Sequence, residues 1–241
     1  MRGVFEMSMN VSEKKLKSKV KIGEQVAVVE NIKYPFFESE KHAKLCEKMN
    51  AFYSSIAEKY SFHARNKLPR KIKLNRLSCK LPMTVSMNYK IALCDEKIVS
   101  VVLDLAFSEG KNFRTRRFSQ VWSVEKKDIL RIDEMLKTDR QSRKKVYSQI
   151  FSIAKDNGEN PAFGYFDDYE KKLSRSLEIE NCFAVPKGLC FFVNAGILSP
   201  TKYGANSFVL PISTLREVIK GDFLSKNDEK DGQNADIVNN V

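Results

Sequence analysis

The feature that most constrains this chain is a pair of alternating apolar runs separated by a short polar break. Every second residue is apolar in residues 81–93 and again in residues 99–107, and four mostly polar residues, 94–97, separate the runs. A period of two indicates half-buried strands, and two such runs around a short break predict a hairpin. A third run at residues 118–124, after a polar loop at 108–112, extends the hairpin to an antiparallel meander.

Helical periodicity supplies a cover for one face of this sheet. Residues 40–65 carry apolar side chains at spacings of three and four, and Pro69 lies just beyond the predicted end of this helix. A strand is predicted at residues 25–35 and ends at Pro35, because proline cannot donate to the ladder. A sheet with one apolar face needs packed helices, so the sequence predicts an α+β fold: an antiparallel meander sheet packed on one face by helices.

The second half of the chain continues the same mixture. Helices are predicted at residues 139–156 and 165–177, strands at 189–193 and 208–212, and a short helix at 213–219, which Ser213 would cap.

One domain of residues 23–221 is expected. The polar, lysine-rich residues 1–22 predict a flexible basic N-terminus, and residues 222–241 predict a disordered tail.

The residues needed for catalysis or metal binding are scarce. His42 and His63 are the only histidines, and they lie about 30 Å apart near opposite ends of one predicted helix. The five cysteines include no CxxC pair, which predicts buried free thiols rather than disulfides or a zinc site. No serine-nucleophile elbow or phosphate-binding loop is present. The sequence therefore predicts a protein that is not an enzyme and holds no metal or cofactor.

The formal net charge is +12, which favours anionic partners such as nucleic acid or an acidic protein surface. No run approaches the roughly 18 apolar residues that a membrane span requires. The lysine-rich start of the chain has no apolar core of a secretory signal, which predicts a cytoplasmic protein. An extracellular location is the alternative if a signal has been trimmed from the chain.

Three stretches resemble a bacterial family of unknown function. It includes the extracellular domain of the RsiV anti-sigma factor and the N-terminal accessory domain of PdaC-type peptidoglycan deacetylases. The first stretch is Tyr34-Pro35 with the helical run Asn50-Ala51-Phe52-Tyr53, and the second extends from Asp104 to Leu136. The third is the most specific, because two glycines and two prolines keep their spacing. It contains Gly188, Pro200, Gly204, Phe208, Pro211 and Leu215.

The resemblance implies the same α+β fold, while the loops that could recognise a ligand differ. The family's Gly-Gly-Ala-His-Gly loop corresponds to residues 109–113, with Asn112 in place of the histidine, and Ala195-Gly196-Ile197 replaces Pro-Tyr-Glu. Lysozyme, the partner that RsiV senses, is strongly basic, so a chain of charge +12 disfavours it.

A non-catalytic binding or regulatory module is thus the first functional hypothesis. Its site would be a groove between the loops at 108–117 and 195–204, where two arginines could meet phosphates or carboxylates. Unpaired charges that protect a strand edge are the structural alternative. Nucleic-acid binding through the basic surface is the second hypothesis, and an accessory role in peptidoglycan metabolism is the third. The candidate binding residues are Lys111, Asn112, Arg114, Arg116, Arg117, Lys202 and Tyr203.

Overall fold

The computed structural model describes residues 9–74, 81–109 and 112–221. The chain divides into two compact units, Met1–Ile129 and Leu130–Val241. The division falls inside the range predicted as a single domain, because the strands before and after it belong to two separate sheets. The predicted disordered tail at residues 222–241 lies outside the described residues.

The first unit contains a six-stranded sheet whose strands follow one another in chain order. The predicted meander forms its centre, since β3, β4 and β5 are antiparallel neighbours. The prediction of an α+β fold is confirmed, with one exception to the antiparallel pattern: β2 and β3 run parallel. The strands are β1 (Asn10–Ile22), β2 (Gln25–Glu38), β3 (Met83–Cys94), β4 (Ile98–Glu109), β5 (Asn112–Ser123) and β6 (Asp128–Ile129).

The break between β3 and β4 is a turn held by one carboxylate. Asp95 Oδ1 accepts hydrogen bonds from the backbone N–H groups of Lys97 and Ile98, both at 2.8 Å. An aspartate that bonds the backbone ahead of it favours a tight turn. The loop predicted at residues 108–112 is shorter than expected, because β4 continues to Glu109 and β5 begins at Asn112.

The prediction of a flexible N-terminus is wrong for residues 10–22, which form β1 and pair with β2 along their whole length. The alternation of β1 is hard to recognise because the segment is rich in lysine. Leu16, Ser18, Val20 and Ile22 are half-buried, and the residues between them are exposed. Residues 1–8 lie outside the described part of the chain.

Strand β2 also runs past its predicted end at Pro35 and finishes at Glu38. Its pairing with β3 covers only Val28–Ile32, so at Pro35 the strand has a neighbour, β1, on one side only. A proline is tolerated where its missing N–H would face away from the ladder.

The predicted long helix covers one face of the sheet and continues beyond Pro69. It consists of α1 (Ala43–Phe62), a π-helical turn (His63–Lys67) and α2 (Leu68–Lys73), with Pro69 in the first turn of α2. Pro69 has no N–H to donate, and it follows directly on the π-helical turn, in which the Leu68 N–H donates to the His63 carbonyl and the helical hydrogen-bond pattern changes. The buried residues of α1 pack against alternate residues of β4, including Val99, Val101, Leu103 and Leu105.

The helical run Asn50-Ala51-Phe52-Tyr53 fixes α1 to the sheet. The Asn50 side chain accepts a hydrogen bond from the backbone N–H of Phe37 at 2.8 Å and donates one to its carbonyl at 2.9 Å. Tyr53 is fully buried, and its hydroxyl accepts a hydrogen bond from Trp122 Nε1 at 2.8 Å. Phe52 meets the Trp122 ring edge to face at 5.5 Å. The motif therefore has a structural role.

Within residues 130–221, the second unit contains a three-stranded antiparallel sheet and four α-helices. The helix predicted at residues 139–156 is confirmed, and Asp139 caps its N-terminus. The helix predicted from residue 165 begins only at Tyr169, and the last helix begins after Pro211 without a serine cap. The elements are α3 (Ile132–Met135), α4 (Arg140–Gly158), α5 (Tyr169–Ser176), β7 (Cys182–Val185), β8 (Gly188–Val193), β9 (Asn206–Pro211) and α6 (Ile212–Leu215).

Gly188 is required by the close approach of β8 and β9. A Cβ at this position would lie 2.0 Å from the carbonyl oxygen of Leu210, so only glycine fits. This contact explains in structural terms why a glycine is found at position 188.

Candidate functional site

The basic segment predicted as a binding site lies on the β4–β5 hairpin of the first unit. Lys111 is outside the described residues, and Asn112 is the first residue of β5, opposite Glu109 in the ladder. Arg114 and Arg116 follow at alternate positions and pair with Phe107 and Leu105. Alternate residues of a strand share one face, so these two arginines project about 7 Å apart on the face that α1 covers farther along the sheet.

Arg114 and Arg116 are both exposed. Neither forms a salt bridge with any carboxylate whose side chain the structure describes. The Arg116 guanidinium lies over the Phe118 ring at 4.7 Å from its centroid, which orients it without neutralising it. Burial raises the pKa of Tyr60, and the charge of Arg116 counteracts part of that rise. The two arginines therefore present positive charge beside an aromatic surface.

Arg117 differs from its neighbours, which corrects its prediction as a partner-binding residue. It points to the opposite face of the sheet and is 8% exposed. Its Nε and Nη2 atoms donate to the two carboxylate oxygens of Asp104, at 2.8 and 2.9 Å. A bidentate pair between directly opposed residues of β4 and β5 stabilises the hairpin. Of the three arginines predicted to bind a partner, Arg114 and Arg116 are thus exposed, and Arg117 has a structural role.

Lys202 and Tyr203 lie in a 3₁₀ turn (Thr201–Tyr203) of the second unit. The Tyr203 ring is 45% exposed, and Lys202 Nζ lies 5.0 Å from its centroid. The ring packs on Gly164, where a Cβ would come within 2.7 Å of it. The two loops of the predicted groove therefore belong to different units: 108–117 to the first and 195–204 to the second.

The histidines remain separate structural residues. His42 precedes the first turn of α1, and His63 opens the π-helical turn with its ring 5.9 Å from that of Phe107. Within residues 9–74, 81–109 and 112–221, no three His, Cys, Asp or Glu side chains are placed to hold a metal ion. No helix in those ranges is long and apolar enough to cross a membrane.

Sequence reasoning missed a buried polar cluster around Glu30. The Glu30 side chain has no exposed surface, and its Oε2 accepts hydrogen bonds from the Ser18 hydroxyl and from Arg65 Nε, the latter at 2.7 Å. Its Oε1 has no hydrogen-bond partner among the residues that the structure describes. Burial raises the pKa of Glu30, but hydrogen bonds from Ser18, Ser61 and Arg65 outweigh burial and lower it overall. The signal in the sequence was a glutamate between two inward apolar residues of β2, Val28 and Ile32.

Comparisons with known proteins place the fold. A crystal structure of a DUF3298 family protein from Pseudomonas aeruginosa, PA4972, superposes with a TM-score of 0.60 at 12% identity, over 90% of this chain and 98% of that one. The chain is similar in fold to DUF3298 proteins. A second DUF3298 structure, BF2082 from Bacteroides fragilis, gives a TM-score of 0.59 at 10% identity, over 89% of this chain and 94% of that one. No family model and no curated protein matches the chain.

The DUF3298 likeness is one of fold. At 10–12% identity it concerns the fold alone, so the resemblance to RsiV and PdaC remains a prediction from the motifs.

Proposed function

We propose that the chain is a non-enzymatic binding module that holds an anionic partner through Arg114 and Arg116. The supporting observation is the contrast between neighbouring arginines on β5. Arg117 is buried against Asp104, whereas Arg114 and Arg116 are exposed and unpaired among the described carboxylates. Arginine pairs of this kind suit carboxylate or phosphate groups, because each guanidinium can donate two parallel hydrogen bonds.

An acidic protein is the first candidate partner. The Arg116 guanidinium is already stacked on Phe118, so less side-chain freedom is lost when it binds a carboxylate. A regulatory role of the kind implied by the resemblance to RsiV would need a protein partner, although here an acidic one. Lysozyme remains disfavoured by the net charge of +12.

The test is capture of proteins from native lysate at physiological salt, followed by mass spectrometry. The Arg114→Ala/Arg116→Ala variant should lose a protein that the original chain retains, with affinity reduced roughly tenfold or more, since charge-assisted hydrogen bonds contribute about 1.5–3 kcal/mol each. The matched control is Arg140→Ala/Lys144→Ala, which removes two exposed cations from α4. This control should retain the same protein.

Two results would contradict the proposal. Equal capture by both variants would show that Arg114 and Arg116 do not hold the partner. Retention of nucleic acid alone, with affinity falling steeply as salt rises, would support the second hypothesis, charge-driven nucleic-acid binding.

A further inference from the structure

Strand β1 leaves one edge of the six-stranded sheet open. It pairs with β2 from Asn10 to Ile22, and no strand pairs with its other side in the described part of the chain. The edge is 13 residues long, or about 43 Å, whereas strands average about 5–6 residues. The one shift of register, at Val20/Lys21, places the extra residue, Ala27, in β2, so β1 itself stays regular. A row of backbone donors and acceptors is therefore available for another strand.

A row of unneutralised lysines lies along this edge. Lys17, Lys19 and Lys21 are exposed and alternate with the half-buried residues of β1. None of the three forms a salt bridge among the described residues. The nearby Glu13 carboxylate instead pairs with Lys15 at 2.7 Å and Lys33 at 3.9 Å, and the more distant charge of Lys17 contributes to lowering its pKa. The spacing of alternate residues, about 7 Å, sets the distance between the three ammonium groups.

Charge and geometry together select the occupant of the edge. A second copy of β1 would bring its own lysine row beside this one, and like charges on neighbouring strands repel. Nucleic acid would meet the lysines but leave the strand's backbone groups unused. An extended acidic segment meets both requirements, because its carboxylates at alternate positions have the same spacing as the lysines.

We propose that the open edge of β1 binds an extended acidic segment of a partner protein, which adds to the sheet as a seventh strand. Backbone hydrogen bonds supply the pairing, and carboxylates at every second position face Lys17, Lys19 and Lys21. This site does not depend on Arg114 and Arg116, which lie on β5, four strands away in the sheet order.

The test uses a labelled nine-residue peptide, Glu-Thr-Glu-Val-Glu-Thr-Glu-Val-Glu, and measures its binding to the full chain by fluorescence anisotropy. Two further peptides separate strand pairing from charge. One has the same composition with its glutamates contiguous, and the other carries N-methyl groups on alternate backbone amides. We expect the alternating peptide to bind at least about tenfold more tightly than either. Equal binding of all three would overturn the proposal.

Charge-reversal variants locate the site. Lys17→Glu/Lys19→Glu/Lys21→Glu should lose the acidic peptide and gain binding of the same peptide with lysine in place of glutamate, and this gain would also show that the variant is folded. The control reverses three exposed cations of α4, as Arg140→Glu/Lys144→Glu/Lys155→Glu. Loss of peptide binding in this control would attribute the effect to net charge and overturn the proposal.

Hydrogen exchange shows whether the peptide pairs as a strand. On binding, amides of residues 10–22 should exchange more slowly, in the original chain and in Arg114→Ala/Arg116→Ala alike. Unchanged exchange in β1, or equal competition by a single-stranded oligo-dT, would overturn strand addition. Loss of peptide binding in Arg114→Ala/Arg116→Ala would place the acidic segment at the arginine pair instead.

Discussion

Arg117 and Glu30 are charged residues whose side chains are buried in the first unit. Each is held by a partner on a different element: Arg117 by Asp104 on β4, and Glu30 by Arg65 in the π-helical turn. The sequence could have separated Arg117 from Arg114 and Arg116, because odd and even residues of a strand face opposite ways. It could not have identified Asp104 as the partner, since that requires the register of β4 against β5.

Substituting Glu30 should make stability less sensitive to acid. The pKa of Glu30 is lowered from its usual 4.5, so its contribution to folding is complete above that value and is lost as pH falls through the lower folded-state pKa. Glu30→Gln should therefore cost about 1–3 kcal/mol at pH 7 and progressively less below about pH 4.5. Urea unfolding at pH 7, 5, 4 and 3, followed by circular dichroism, measures this.

The control for this experiment is Glu24→Gln, which changes an exposed glutamate between β1 and β2. A cost for Glu30→Gln that stays constant from pH 7 to pH 3 would show that the carboxylate's charge contributes nothing to folding.

At the scale of elements, the sequence predicted best where local chemistry decides the structure. The β3–β4 hairpin was predictable because its alternation continues on both sides of a turn that Asp95 closes. Strand β1 was missed because its lysines suggest a solvated segment, although its inward residues keep the same period. The parallel pairing of β2 with β3 could not be predicted, because no tight turn joins the two strands and sets their register.

Removing β1 tests its place in the sheet. Deletion of residues 1–22 should lower the melting temperature by at least several degrees and promote aggregation, because it exposes the edge of β2 and removes Ser18 from the Glu30 cluster. Deletion of residues 1–8 is the matched control and keeps β1 intact. Thermal unfolding and size-exclusion chromatography give the comparison. If both truncations behave alike, the interpretation of residues 1–22 as a flexible segment is restored.

At the scale of the whole molecule, this chain has a fold similar to that of two DUF3298 structures although only 10–12% of the aligned residues are identical. The pattern of apolar residues is therefore enough to specify this fold. The α+β class followed from strand and helix periods alone. The groove predicted between residues 108–117 and 195–204 stays a prediction, because its two loops belong to different units. Strand alternation separates Arg117 from Arg114 and Arg116, but the register of β5 against β4 is needed to show that Arg117 meets Asp104.

The described thiols should be unreactive in the folded protein. Burial raises the pKa of Cys94 to about 11 and of Cys182 to about 12, and it also raises the pKa of Cys46. The thiolate is the reacting species, so a disulfide reagent at pH 8 should modify these residues at least about a hundredfold more slowly than an exposed cysteine. Cys79 lies outside the described residues, so the measurement uses Cys79→Ser, with the denatured variant as the control.

Four thiols should react rapidly once this variant is denatured. Rapid reaction of Cys46, Cys182 or Cys190 in the folded state would contradict its burial, and rapid reaction of Cys94, which is half-buried, would contradict its raised pKa.

Trp122 is the only tryptophan of the chain, and it lies in the core of the first unit between Phe52 and the Tyr53 hydroxyl. The protein therefore carries an intrinsic fluorophore at one defined place. A red shift of its emission would report water reaching this core, without any attached dye. Tryptophan fluorescence of the whole chain thus reports on one place, the contact that anchors α1 to the sheet.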